Sequence, residues 1–206
     1  MKLIFTFLVF NLLIVSGYSQ KVSSRVYDAK GIEQLYIDTD EVYQINIKTS
    51  KTDNITLTSH AEGEYFNDIS LIMEVEKDKM VLTSAFNKAL QGGFDKLSAH
   101  KVFSLGLSLE IPEGLEVFIE SNIATVIGSG KYKNLQIQLQ SGYCELNPFL
   151  GNATVNTYKG AIHITTNNAR VDAKTRNGNM IIAEDLSGNF QIKLISIDGD
   201  ISVLKN

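Results

Sequence analysis

Few residues in this 206-residue chain are of types that do chemistry, and their spacing keeps most of them apart. The three histidines are His60, His100 and His163, and only His163 falls in a periodic part of the sequence. Its neighbours one period away on either side are Glu145 and Ile181. A metal centre needs three or four converging ligands, so Glu145 with His163 is an incomplete set and no metal site is expected. The one cysteine, Cys144, alternates with Leu146 on the apolar side of its segment. A thiol nucleophile needs an adjacent base, and none is indicated, so a buried inert thiol is expected. Asp198-Gly199-Asp200 resembles a calcium turn but occurs once, whereas calcium-stacking solenoids repeat the motif. Polysaccharide cleavage needs two carboxylates held on one face. The outward acids Glu116, Glu145 and Asp172 fall in different columns or whole periods apart, so no catalytic residue and no cofactor is expected. Aromatic rings are the remaining lead. Phe118, Tyr132, Tyr143 and Tyr158, with Phe149 beside them, flank turns or point outward, and form the candidate binding face. Such rings stack on sugars or anchor a protein partner, or else they pair across neighbouring strands. The residues leave both readings open.

The elements that must position these side chains repeat. Five blocks, 115–119, 135–139, 153–157, 171–175 and 192–196, alternate apolar and polar residues. Three positions after each block stands Asn122, Gly142, Gly160, Gly178 or Gly199, and a shorter alternating pair follows. The markers are 20, 18, 18 and 21 residues apart. A fixed period near twenty with alternating strands predicts stacked coils over 115–206, each burying its apolar face against its neighbours. Counting from each marker, positions −7, −5, −3, +2 and +4 give 25 inward sites, of which only Thr157, Thr175 and Ser196 are polar. The markers are expected to tolerate unusual backbone angles between two short strands. Less regular strands are predicted at 34–38, 42–48, 54–58, 69–75, 79–83 and 102–110, with turns at 51–54 and 76–79. Residues 85–100, split by Gly92-Gly93, read as a surface excursion.

Residues 1–19 read as a signal peptide: a basic start, an apolar run broken by Asn11, and small residues at Gly17 and Ser19. That run is too short for a retained membrane span. The remainder, 20–206, is expected to be one exported β-solenoid domain located in the periplasm, at the cell surface or outside the cell. Net charge is −4, or −5 without Lys2, and it gives no footprint for nucleic acid. A single cysteine rules out an intrachain disulfide framework, so packing and hydrogen bonds must hold the fold.

The segments Ile37-Asp-Thr39, 53–57, the Ile-Pro-x-Gly junction within 109–117 and the repeats after it resemble the secreted bacterial β-strand-repeat family labelled "putative adhesin", of the head-GIN type. The resemblance covers nearly all of 20–206. It implies an all-β, single-chain, right-handed parallel β-helix or β-solenoid with no catalytic residues to carry over. The expectation is a non-enzymatic envelope or surface protein presenting a binding or display face to an unknown protein or glycan. The alternatives are a carbohydrate-active β-helix enzyme and a purely structural, envelope-stress component. The last coil, 192–206, ends without a covering layer in the sequence, so self-association through this C-terminal coil is a further expectation.

Overall fold

The computed structural model describes residues 20–63, 69–86 and 103–206, which form fifteen strands and no helix. First come β1 (Gln20–Asp28), β2 (Gln34–Asp38), β3 (Gln44–Ser50), β4 (Asn54–Gly63), β5 (Ile69–Glu76) and β6 (Lys79–Phe86). Then come β7 (Phe103–Pro112), β8 (Glu116–Ser121), β9 (Thr125–Ser141), β10 (Cys144–Lys159) and β11 (Ile162–Thr166). The last are β12 (Ala169–Asn177), β13 (Met180–Ile182), β14 (Phe190–Asp198) and β15 (Ile201–Lys205). The leader expected at 1–19 and residues 87–100 of the expected excursion lie outside the described residues. Its first two residues, Ala85 and Phe86, continue β6.

The strands build two ladders. One runs β5-β6-β2-β8, then the second halves of β9 and β10, then β14 and β12. The other runs β1-β4-β7-β3, then the first halves of β9 and β10, then β11, β15 and β13. Because β9 and β10 pass through both, the whole is one mixed sheet, and both ladders turn their apolar rows into one core cluster.

The expected right-handed parallel β-helix is therefore corrected. Parallel pairing links β2, β3, β6, β7 and the five coils, but β4 runs antiparallel to β1 and β7, and β5 to β6. The physical reason is turn length. The two-residue reversal at Lys77-Asp78, with Lys77 at φ 59°, folds β6 straight back on β5, and the short link at 51–53 reverses direction between β3 and β4, which flank β7. Parallel neighbours need longer crossovers. Strand β1 was not predicted, because its apolar Val22 and Val26 face water and, of the alternate residues, only Ser23 and Tyr27 are half-buried while Arg25 is exposed.

The regular coils do not stack in chain order. Coil five (β14–β15) lies between coil three and coil four (β12–β13), giving the sequence one, two, three, five, four. Burial shows the same order. All twenty inward sites of coils one, two, three and five are buried, whereas none of the five in coil four is. Val155 and Ile164 are enclosed, while Ala173 in coil four is half-buried. The C-terminal coil expected to be open is thus covered on both sides, and coil four is the uncovered layer, with Met180 and Ile181 exposed. Side-chain size accounts for the exchange. Coil five turns Ile192, Leu194, Ser196, Ile201 and Val203 inward, whereas the matching coil-four sites are Val171, Ala173, Thr175, exposed Met180 and Ile182. Stabilisation grows with apolar area removed from water, so the layer with the bulkier inward aliphatic row gains more from two neighbours.

The three polar inward sites become contiguous in this order. Thr157, Ser196 and Thr175 lie on successive layers, with Thr157 and Ser196 buried. Thr157 Oγ1 donates to Gly160 O at 2.8 Å, Ser196 Oγ to the same oxygen at 3.2 Å, and Thr175 Oγ1 to Gly199 O at 2.8 Å. The hydroxyls thus satisfy marker carbonyls inside the stack, which is why polar groups are tolerated there.

Candidate functional site

The outward side of the β2–β14 ladder carries rows of side chains in strict register. One row reads Val81, Tyr36, Phe118, Gln136, Thr154, Lys193, Asp172. Two residues along each strand, the next reads Thr83, Asp38, Glu120, Gln138, Asn156, Ile195, Lys174. The rings of Tyr36 and Phe118 stack with centroids 4.3 Å apart and planes 12° apart. Lys79 Nζ covers the other side of Tyr36 at 4.7 Å from its centroid, a cation–π contact. The pair therefore leaves the far face of Phe118 looking along the row toward Gln136.

A groove follows from this arrangement. Its walls include Tyr36, Asp38, Phe118, Gln136, Gln138 and Asn156. It runs on past Glu120, Gln138 and Asn156 to Gln140, Tyr158, Ile195 and Ile197. The row on its other flank is internally closed. Lys133 pairs with Glu116 at 2.8 Å, and Gln34 Nε2 donates to the same carboxylate at 3.4 Å. The hydrogen bond to Glu116 holds the Lys133 ammonium above its ordinary pKa. Inside the groove the picture is reversed. Among the described residues, no hydrogen bond engages the side chains of Asp38, Glu120, Gln136, Gln138 or Gln140. The amide oxygen of Asn156 is shut from bulk water with no partner at all. Protein groups so placed are normally satisfied, so this oxygen is an unmet acceptor.

The sequence-predicted aromatics part company here. Phe118 lines the groove near one end and Tyr158 stands exposed at the other. Tyr143 is exposed in the turn between β9 and β10. Tyr132 is only 3% exposed and belongs to the core, which corrects its place on the candidate face. Its hydroxyl lies 3.1 Å from the carbonyl oxygens of both Ile47 and Ser129, its ring stacks on buried Phe149 at 5.7 Å, and burial pushes its phenol well above the usual range. Sequence reading missed Tyr36, Asp38, Gln136, Gln138 and Asn156. The signal was available only once β2 was known to pair with β8, since Tyr36 and Phe118 are distant in the chain.

Residues weighed for chemistry behave as follows. Glu145 and His163 are register neighbours, and Ser202 rather than Ile181 is next in the row. No hydrogen bond joins the three, and the described residues hold no group of three ligands suited to a metal ion. Asp38 and Glu120 are directly paired in register, and both are exposed. Cys144 is fully buried and burial pushes its thiol well above the usual range. The thiolate is the reactive form, so the folded protein is expected to resist an aromatic disulfide reagent at pH 8 and release one equivalent of thiol on unfolding in urea. Free-thiol kinetics in the native state would contradict the burial.

No protein-family model matches the chain, and no curated protein matches its sequence. Its fold does have solved counterparts. A "putative cell adhesion protein" from Clostridium sporogenes superposes with a TM-score of 0.65 at 13% identity, over 91% of this chain and 100% of that one. A "putative adhesin" from Bacteroides fragilis matches with a TM-score of 0.40 at 14% identity, over 90% of this chain and 97% of that one. The first shows a shared all-β fold, and its name agrees with the family resemblance drawn from the sequence.

Proposed function

We propose that this protein is a non-enzymatic, exported envelope or cell-surface module that presents the outward side of the β2–β14 ladder as a binding face. The observation that carries the reading is the groove between Phe118 and Tyr158, where aromatic surface lies together with the unengaged amides of Gln136, Gln138 and Gln140. Binding sites combine apolar surface with a few converging polar groups, and this groove has both. The shared fold with a "putative cell adhesion protein" supports the same reading. The rigid ladder beneath holds the groove in shape without a ligand, which lowers the ordering cost of binding.

Fluorescently labelled protein is expected to stain intact cells in a panel of bacterial and epithelial lines, saturably, by flow cytometry. A Phe118→Ala/Tyr158→Ala double variant with an unchanged melting midpoint should stain at least fivefold less. Staining that never saturates, or that the double variant retains in full, would overturn the reading.

A further inference from the structure

We infer that the groove between Phe118 and Tyr158 takes a neutral, linear oligosaccharide. This rests on the binding face proposed above and names the chemistry of its ligand. Three observations converge on it. First, every strand flooring the groove, β2, β8, β9, β10 and β14, is already hydrogen-bonded on both sides. A peptide therefore finds no strand edge to extend, which is the usual route to an extended peptide partner on a sheet. Second, recognition falls to side chains, and those offered are amides. Gln136, Gln138 and Gln140 each present a donor and an acceptor from one planar group. That pairing suits vicinal hydroxyls, which donate and accept in turn. Third, an aromatic ring stands at each end, half-buried Phe118 at one and exposed Tyr158 at the other. Aromatic faces carry negative potential and accept the C–H face of a sugar ring.

Geometry sets the ligand's length. Tyr158 is four residues along the strand and two layers across from Phe118. At about 3.3 Å per residue and about 4.8 Å per strand, the two rings lie about 16 Å apart. An oligomer of several sugars is needed to touch both. Charge sets its sign. Asp38 and Glu120 flank the track with no internal partner, so a uronate or sulfated chain meets repulsion where a neutral chain meets acceptors.

Isothermal titration of the purified protein with malto-, cello- and manno-oligosaccharides of two to six units tests this, with oligogalacturonates as the acidic comparison. At least one neutral series is expected to bind, tightening with length until the groove is spanned, and the oligogalacturonates should bind at least tenfold more weakly. Gln138→Ala, an exposed substitution that leaves folding intact, and Phe118→Ala should each weaken binding at least tenfold. Absence of binding by all three neutral series, or binding unaltered in both variants, overturns the ligand class. If Phe118-dependent cell staining persists in that case, the binding face stands and only its ligand has been misread. Loss of both overturns the two together. Release of reducing ends from a bound oligosaccharide would instead overturn the non-enzymatic reading.

Discussion

A chain ended after Leu186 is expected to lose two coils, although only one has been removed. In a solenoid stacked in chain order, trimming the last coil exposes one fresh layer and leaves the rest intact. Among the described residues, coil five is the only partner of coil four. Strand β12 pairs with β14 alone and β13 with β15 alone. The links that hold the two together also vanish, including Asn189 N to Asn168 Oδ1 at 3.1 Å and Phe190 N to Asn168 O at 3.1 Å. Removing Ile192, Leu194, Ile201 and Val203 alone forfeits about 1.5–3 kcal/mol of burial each, on the order of 6 kcal/mol or more in all. That sum is comparable with the whole stability of an ordinary domain, about 5–15 kcal/mol. The truncated chain should therefore show protease cleavage throughout 169–186, and thermal unfolding should begin at or near room temperature, followed by circular dichroism. A truncated protein that melts cooperatively within a few degrees of the full chain would place coil five at the end of the stack after all.

What could be read from the sequence divides along a physical line. The inward row of coils one, two, three and five was legible, because a side-chain period of two is a local property. Burial of Val155, Ile164 and Cys144 follows from it. Layer order was not legible, since the period says where each coil turns and nothing about which coil lies above. Only the relative bulk of the coil-five and coil-four rows hinted at the exchange. The reading of Tyr132 failed for a related reason. It lies at a bend of β9 beside Gly130, outside the counted inward sites, and its ring fills the core against Phe149. The groove failed differently: one side of it, Tyr36 and Asp38, comes from a strand about eighty residues away in the chain, and no local pattern announces that pairing.

Replacing Gly160 by alanine should be the most damaging single substitution among the markers. The expected role of these glycines was conformational, and that is half of the account. Gly142 and Gly160 have positive φ, at 116° and 148°, but Gly178 and Gly199 do not need it. What all four share is crowding by a backbone carbonyl. A Cβ on Gly160 would lie 1.9 Å from Gly142 O and 2.7 Å from Gly142 C, while one on Gly199 would lie 2.2 Å from Gly160 O. The markers form a column up the stack, and the obstructing atoms are main chain of the layer beneath, which cannot swing aside as a side chain can. Coils two and three would have to part, straining the bond from Gly142 N to Lys159 O and the two hydroxyl bonds accepted by Gly160 O. A loss of more than about 3 kcal/mol is expected, in the range reserved for core disruption. Gly114→Ala is the control. It shares a positive φ, 82°, yet has nothing within 4 Å of the new methyl group, so only the conformational penalty of about 1–2 kcal/mol should apply. Asn122, the first marker, donates its backbone N–H to the Asp40 carboxylate at 3.2 Å. Urea unfolding of the two variants decides between packing and conformation. Equal losses for Gly160→Ala and Gly114→Ala would mean that backbone angle, not the approach of one layer to the next, is why glycine stands in this column.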